Sequence, residues 1–501
     1  MDINPHVNEG ELPQSRDYGA ETKLQRLLTT RHVTMIALGS SIGMGLWLGS
    51  GKSLASGGPA GIILGYLLAA SMIWSVSHSL GEMAVMYPLP SAFVQWTGKF
   101  VSPAAAFALG WAYWFSYCIT IANELQAVVT IMGFWTDKVP VAAWITVWWL
   151  VIIAVDVFAV NVFGEIEVIC SSIKFGWIFV VIISLTTISA GGPFINGFKR
   201  FLSVMPTCIF AMAGSENSGL VAAETAKPRK AVPRAVGSIW LRLSLFYILG
   251  ALMVTINVDP KDKDIFGGKG TNASPFVIAY RQADLQPLAH MMNAIIFISV
   301  VSTGTISAYA GSRTQMGLAH LGMAPAAFKK ADSTGRPWWG LFITLLLGGG
   351  LGYLNVNHSA ADVFTWFSNL TSLFTLFGWG MICLSHIRMR YAWQLQGRPV
   401  ADLPWKSWTF PYAAWWGLSW CIILIVAEFY LSVWPLGARP SAEHFFANYI
   451  SVIVIILCYL GARLYYRGPW WVDASTIDLD ATRRFYGVIG AAGRAVQFIF
   501  N

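Results

Sequence analysis

The chain has 501 residues, of which 55% are hydrophobic and only 12% are charged, whereas soluble domains carry about 25% charged residues. It contains 47 glycines and 24 tryptophans, which suits helices embedded in lipid, where glycine allows close packing and tryptophan lies at the interfaces. The net charge of +8 is dispersed among loops, so nucleic acid is not an expected partner. The composition excludes a soluble globular protein and predicts a lipid bilayer as the surroundings.

Residues 1–30 are polar and lack the apolar stretch of a cleaved signal peptide, so they are predicted to form a cytosolic tail. Residues 31–466 are predicted to form one transmembrane domain, and residues 467–501 a second cytosolic tail. The six cysteines lie in apolar segments without metal-ligand spacing, which predicts buried small side chains rather than a disulfide framework.

Long stretches without Asp, Glu, Lys or Arg indicate membrane spans, because about 20 apolar residues cross a bilayer. Six stretches exceed that length by several residues: 53–80, 100–123, 175–198, 285–312, 337–361 and 363–387. Four shorter ones and two interrupted ones complete the set: 139–155, 243–258, 407–427 and 444–462, then 32–51 and 205–223. The pattern predicts an all-α integral membrane protein with about twelve transmembrane helices.

With an even number of spans, most of the 33 lysines and arginines fall on the side that carries both termini. Because basic residues stay in the cytosol, both termini are predicted to be cytosolic. The triplet Asn272-Ala273-Ser274 is an acceptor pattern for N-glycosylation in the longest loop of the opposite side, which makes Asn272 a candidate glycosylation site.

The first and sixth spans are both interrupted midway by glycines and hydroxyl residues. The interruptions are Gly39-Ser-Ser-Ile-Gly43-Met-Gly45 and Ala211-Met-Ala-Gly214-Ser-Glu216-Asn-Ser-Gly219. They lie five spans apart, so the two units have opposite orientations. Interrupted helices in corresponding positions of two halves indicate a transporter binding site. We therefore expect repeat one at about 31–190, repeat two at about 204–386, and extra helices at about 407–466.

A break inside the membrane leaves backbone groups that must find partners or line a polar cavity. The N–H groups at the start of a half-helix favour an anion such as a carboxylate, and unwound carbonyls accept hydrogen bonds from an ammonium group. A free amino acid carries both groups, so it is the predicted substrate. The alternative is that these glycines serve only close helix packing, which we favour for Gly49 and Gly51.

Ionisable residues inside a membrane are costly and usually functional. Lys174 and Glu216 are predicted to take part in proton coupling, and Glu124 to line the substrate site. Each has an alternative: Lys174 could extend to the cytosolic interface, and both glutamates could be structural, hydrogen-bonded carboxyl groups. Glu165 and Glu167 are predicted to lie in a short cytosolic loop.

Several motifs, in order along the chain, resemble those of the yeast amino acid transporter family in the APC superfamily. The resemblance covers roughly 32–484 and is carried by Arg31-His32-x-x-Met-Ile-Ala-Leu-Gly39, Gly81-Glu-Met-Ala84, Gly214-x-Glu216, Ala222-Ala-Glu224, Tyr309-x-Gly-Ser-Arg313 and Ser385-His-Ile-Arg388. It implies a five-plus-five inverted-repeat fold of the APC/LeuT type, with discontinuous helices 1 and 6 and two extra spans.

The resemblance also implies roles for individual residues. The backbone N–H groups of Met44 and Gly45 would meet the substrate carboxylate, and carbonyls at Ser41, Phe210 and Ala213 would meet its ammonium group. Phe210 would close over the substrate as an aromatic gate, Lys174 would take the place of a sodium ion, and Glu216 is the acid of the GxE motif. Met44 replaces a smaller residue and is expected to narrow the pocket. The predicted substrate-binding set is Ser41, Gly43, Met44, Gly45, Glu124, Phe210, Ala213, Gly214, Ser302 and Thr303.

The resulting hypothesis is a secondary active amino acid permease of the plasma membrane, which imports its substrate with a proton by alternating access. An amino acid sensor of the same fold remains open as an alternative, as does a permease for another amine such as a polyamine or choline. An enzyme is not expected, because the sequence contains no nucleophile–base, metal or phosphate-binding motif. No cofactor is expected. The particular amino acid and the oligomeric state do not follow from the sequence.

Overall fold

The computed structural model describes residues 27–136, 138–158, 160–186, 197–225, 227–266, 273–333, 335–356, 360–435 and 439–484. The candidate glycosylation site Asn272 lies outside these residues. Apart from two isolated β-bridges, the described residues contain no strand. The all-α class predicted from the charge-free stretches is confirmed.

The helices follow one another with short connections. In chain order they are α1 (Thr30–Gly39), α2 (Met44–Trp47), α3 (Gly49–Met86), α4 (Ala92–Phe100), α5 (Pro103–Met132), α6 (Val141–Asp156), α7 (Val160–Thr186), α8 (Gly197–Met212), α9 (Asn217–Ala222), α10 (Pro228–Arg242), α11 (Gly250–Asn257), α12 (Pro275–Gln282), α13 (Gln286–His320), α14 (Trp338–Gly352), α15 (Ala360–Leu395), α16 (Tyr412–Val433) and α17 (Ala442–Tyr466). A π-helix, Leu243–Leu249, joins α10 to α11, so these three pieces form one span.

Eight helices of the described chain are long and apolar enough to cross a membrane, and two shorter helices, α6 and α14, are apolar as well. The interrupted pairs α1–α2 and α8–α9 bring the set to the twelve predicted spans. Many large apolar side chains on α16 and α17 are exposed, as expected of surfaces that face lipid rather than water.

The order of elements occurs twice along the chain. A broken helix, a long span, a short helix, a long helix, a short apolar span and another long span make up α1–α7, and the same order recurs from α8 to α15. The short helices α4 and α12 occupy the same place in the two series. The broken helices therefore hold corresponding positions in two five-span halves, and the discontinuous first and sixth helices are confirmed.

The boundary between the first and second spans differs from the sequence-based expectation. A charge-free stretch begins at residue 53, but the turn lies within α3, where Gly58 has φ 69° and is followed by Pro59. A positive φ suits glycine, which lacks a Cβ atom. The second half of the first span therefore continues to about Gly57. A charge-free stretch indicates which residues suit lipid, but it does not show where the chain turns.

Part of the predicted second tail, residues 467–484, packs against the helix ends on the side that carries the termini. The Tyr87 hydroxyl donates a hydrogen bond to the Leu479 carbonyl at 2.7 Å, and Arg398 forms a bidentate pair with Asp480 at 2.7 and 2.6 Å. Leu479 is fully buried. This tail segment therefore ties α3 to the loop that follows α15.

A buried ion pair closes the end of the bundle on the same side. Arg313 of α13 donates to Glu224, which follows α9, at 2.8 Å, and both side chains are buried. The Leu28 N–H donates to the Glu224 carbonyl at 3.1 Å, so the chain before α1 joins the same contact. The contacts of Glu224 thus hold together α13, the end of α9 and the chain before α1.

Replacing Arg313 with Gln should destabilise this closed end, because it leaves the Glu224 carboxylate buried without its cation. Loss of one partner of a buried pair costs about 3–5 kcal/mol. We expect a clearly lower melting temperature for the purified variant in detergent, followed by tryptophan fluorescence. Arg31→Gln is the matched control: Arg31 pairs with Glu165 where both side chains are more than half exposed, so little change is expected. Equal melting temperatures for the two variants would contradict the assignment.

Candidate substrate-binding site

The first broken helix is interrupted at Ser40–Gly43, between α1 and α2. Gly43 has an extended backbone, and a Cβ atom added to it would lie 2.5 Å from Glu124 Oε1. At Gly45, an added Cβ atom would lie 2.6 Å from the Cα of Ala211 in α8. Gly43 therefore leaves room for the Glu124 carboxylate at the break, and Gly45 allows the two broken helices to approach each other closely.

The second broken helix is interrupted at Ala213–Glu216, between α8 and α9. Gly214 has φ 95°, the left-handed region that favours glycine. The Glu216 carboxylate accepts a hydrogen bond from the Gly214 N–H at 3.1 Å and another from Trp379 Nε1 at 3.0 Å. Glu216 thus bridges the turn to α15, the structural role weighed against proton coupling, and it also lines the central cavity.

Two side chains from the seventh span join the breaks to each other. The Tyr247 hydroxyl lies 2.7 Å from the Ala211 carbonyl and 3.1 Å from the Ser41 carbonyl. Arg242 donates to the Ala37 carbonyl and, at 2.6 Å, to Ser215 Oγ. Buried donors therefore bind carbonyl groups near the C-terminal ends of α1 and α8. The Ser41 carbonyl, predicted to bind the substrate ammonium group, already accepts from Tyr247.

Arg242 is a buried charge that the sequence analysis did not single out. Its side chain is fully buried inside the seventh span. The charge-free stretch begins only at residue 243, so charge alone placed the helix boundary too late. A tyrosine such as Tyr247 inside an apolar run gives no sequence signal of its own.

Glu124 of α5 holds the start of α2. Its two carboxylate oxygens lie 3.1 and 3.3 Å from the backbone nitrogen of Met44. Carboxylates are favoured at the N-terminus of a helix, where N–H groups point outward. A carboxylate of the protein therefore lies where the sequence predicts the carboxylate of the substrate.

Lys174 lies behind the first break and is fully buried, which excludes the alternative that its side chain extends to the interface. Its ammonium group donates to the Gly39 carbonyl at 3.1 Å and to Ser302 Oγ at 2.9 Å. The hydroxyl of Thr303 donates to the Ile42 carbonyl at 3.1 Å. Lys174 and the Thr303 hydroxyl of α13 thus bind carbonyls at the first break.

Glu167 was placed wrongly by the sequence. It was predicted in a short cytosolic loop, but it lies on α7 and is fully buried. Ser302 Oγ donates to Glu167 Oε2 at 3.0 Å, so Lys174, Ser302 and Glu167 form one chain of hydrogen bonds. Glu167 and Lys174 are seven residues apart, about two helical turns, and therefore share a face. That spacing was the signal that could have found the pair.

Most of the predicted substrate-binding residues line one central cavity. It includes Ser41, Gly43, Gly45, Glu124, Phe210, Ala213, Gly214, Glu216 and Thr303. Its walls also hold polar residues that the sequence did not single out, namely Tyr113, Ser116, Tyr117, Asn217, Ser307, Thr371 and Thr375. The space in it that a water-sized molecule can reach is only about 30 Å³. The cavity must therefore widen before an amino acid fits.

Met44, Lys174 and Ser302 do not line this cavity. The Met44 side chain is fully buried and is not part of the cavity lining, whereas its backbone N–H faces Glu124. Phe210 borders the cavity, and its ring meets that of Phe364 edge-on, with centroids 5.6 Å apart. An aromatic pair thus covers one end of the central cavity.

Known proteins resemble this chain over most of its length. The amino acid permease profile matches residues 32–471. Cationic amino acid transporter 1 of Schizosaccharomyces pombe is 38% identical over 89% of this chain and 79% of its own length. The general amino-acid permease GAP2 of Candida albicans is 36% identical, over 97% of this chain and 85% of its own. The S-adenosylmethionine permease GAP4 of the same species is 35% identical, over 93% and 79%. This chain belongs to the amino acid permease family.

Proposed function

We propose that the protein is a proton-coupled amino acid permease that imports its substrate across the plasma membrane by alternating access. The observation that carries the proposal is the Met44 N–H group at the start of α2, held by a carboxylate inside the membrane. A backbone donor that binds the Glu124 carboxylate can equally bind the carboxylate of an amino acid. Both termini are assigned to the cytosol on the distribution of lysine and arginine.

A second carboxylate cannot approach Met44 while Glu124 remains there as an anion, because two like charges a few ångströms apart repel strongly in a medium of low polarity. Protonation of Glu124 removes that repulsion and weakens its hold on the N–H group. The substrate carboxylate then takes its place. In this scheme the proton and the amino acid must bind together, which is the requirement for symport.

The chain Lys174–Ser302–Glu167 supports a second place for the proton. Among the described residues Glu167 Oε1 has no hydrogen-bond partner, although the carboxyl group is buried. A buried carboxylate with one oxygen unpaired is costly, and a proton on that oxygen lowers the cost. Because Lys174 also binds the Gly39 carbonyl, a change of charge in this chain acts directly on the first break. Glu216 remains a predicted proton-coupling residue.

Alternating access is supported by the different contacts that close the two ends of the bundle. The end that carries the tails is closed by Glu224 and Arg313, whereas the central cavity is covered on its other side by Phe210 and Phe364. Opening the aromatic pair admits substrate from outside, and separating the ion pair releases it to the cytosol. An amino acid sensor of the same fold would bind the amino acid at the same site but would not release it to the cytosol.

Uptake into yeast cells that express the chain should identify the substrate class. We expect at least one radiolabelled L-amino acid among the twenty to be taken up, and a protonophore to abolish its accumulation. Competitors need both a free carboxylate and a free amino group, because the breaks offer N–H groups to one and carbonyls to the other. Amino acid amides, N-acetyl amino acids and cadaverine should therefore not compete. Competition by cadaverine would favour a polyamine permease, and binding without uptake would favour a sensor.

Replacing Glu124 with Gln should make amino acid uptake independent of protonation at this residue. The amide resembles the protonated carboxyl group and carries no charge. Uptake by the variant should lose most of its dependence on external pH, so that the ratio of rates at pH 5 and pH 7 approaches one. Asp284→Asn is the matched control, since Asp284 is an exposed acid outside the cavity. An unchanged pH profile in the Glu124 variant would remove this residue from the coupling scheme.

Replacing Lys174 with Ala should reduce proton-driven uptake at least about tenfold, equivalent to ~1.4 kcal/mol of coupling free energy. The variant loses the donor to Gly39 and leaves Glu167 without its nearest cation. Lys330→Ala, at an exposed lysine, serves as the control. Surface expression is measured in parallel with a tagged protein. Full, protonophore-sensitive uptake by the Lys174 variant would refute its role.

A further inference from the structure

A second and larger cavity lies on the side opposite the tails. It holds about 480 Å³ of space that water-sized molecules can reach, within the range of small-molecule sites. It is lined by the start of α3, by α8, and by the facing ends of α15, α16 and α17. The polar side chains that face it include Lys52, Thr365, Asn369, Glu428, His444 and Asn448. None of these residues lines the central cavity.

Two opposite charges line this outer cavity. Glu428 of α16 is 92% removed from solvent, and within the described part of the chain its carboxylate accepts no hydrogen bond, although its backbone carbonyl accepts one from Ser432. Lys52 supplies the opposite charge and donates to Thr365 at 2.6 Å. A carboxylate inside the membrane region is costly without donors, so its position suits a ligand that brings an ammonium group.

The amide and imidazole groups of Asn369, Asn448 and His444 line the same cavity as Lys52 and Glu428. Asn369 donates to Asn448, and Asn448 donates to the His444 carbonyl at 2.7 Å, which fixes these side chains. Among the described residues there is no cluster of three potential metal ligands, so the cavity does not have the ligand set of a metal site. Fixed donors, one cation and one carboxylate together match a small zwitterion.

The outer cavity is joined to the central one through the aromatic pair. The Lys52 ammonium group lies 5.5 Å from the centre of the Phe364 ring, and that ring packs on Phe210. Thr207 faces the outer cavity, whereas Phe210, about one helical turn further along α8, faces the central one. A ligand bound at Lys52 therefore rests directly on the residues that cover the central site.

We propose that the outer cavity is a second site for a free amino acid, with the ligand ammonium group at Glu428 and its carboxylate at Lys52. The site lies outside the Phe210–Phe364 pair, so an arriving substrate occupies it before the pair opens. This inference rests on the proposed function only for the identity of the ligand. The cavity and its charges stand independently of how the protein is driven.

Saturation binding to the purified protein in nanodiscs tests the proposal. The probes are tritiated L-arginine and L-leucine, one basic and one neutral, in discs made only of phosphatidylcholine. We expect about two equivalents of at least one probe per protein, and about one equivalent for Glu428→Gln. Ser56→Trp fills the outer cavity without changing charge and should also bind about one, which guards against misfolding of the first variant. Lys261→Met, an exposed lysine on the same side, should keep two.

The other possible results of this binding experiment each overturn a specific part of the proposal. One equivalent in the wild type up to about 1 mM probe, unchanged by Glu428→Gln, overturns the second site but leaves the permease function intact. Failure of every amino acid in the uptake panel instead overturns the proposed function. Loss of the second equivalent when phosphatidylethanolamine is added to the discs would show that a lipid headgroup, with the same ammonium and acidic groups, is the true occupant and would overturn the proposal.

Discussion

The structure depends on one constraint, that polar backbone groups inside a membrane need hydrogen-bond partners. Two helices come apart in the interior of the bundle and leave such groups without helical partners. Buried side chains bind them instead: Lys174 and Thr303 bind carbonyls of the first break, Tyr247 binds carbonyls of both, and Glu124 and Glu216 bind the freed N–H groups. The ionisable residues of the interior therefore hold the breaks, and two of them, Glu124 and Glu216, also line the central cavity.

The proposed transport cycle makes use of these same contacts. A side chain that holds a freed backbone group can be displaced only by a ligand that offers an equivalent group, or by a proton that changes its charge. The breaks are thus stable in the absence of substrate and still open to exchange. A continuous helix has no such exchangeable contacts, because its interior groups bond to each other.

Much of this arrangement could be predicted from the sequence. Glycines mark both breaks, missing charges mark the spans, and their order along the chain marks the two halves. Three buried groups could not be recognised in this way. Glu167 and Arg242 lie where the sequence changes from polar to apolar, so their charge does not distinguish them from loop residues, and Tyr247 looks like any tyrosine of an apolar helix. Their importance comes from side-chain contacts across spans that are distant in sequence.

The packed segment 467–484 bears on how the protein can be engineered. Tyr87 and Arg388 donate hydrogen bonds to its backbone carbonyls, and the Arg484 N–H returns one to Met86 at 2.9 Å. Truncating the protein at the end of α17 would remove the acceptors of those hydrogen bonds and the buried Leu479 side chain. A reporter or purification tag is therefore better attached beyond residue 484, so that the contacts of residues 467–484 with the helix ends are kept.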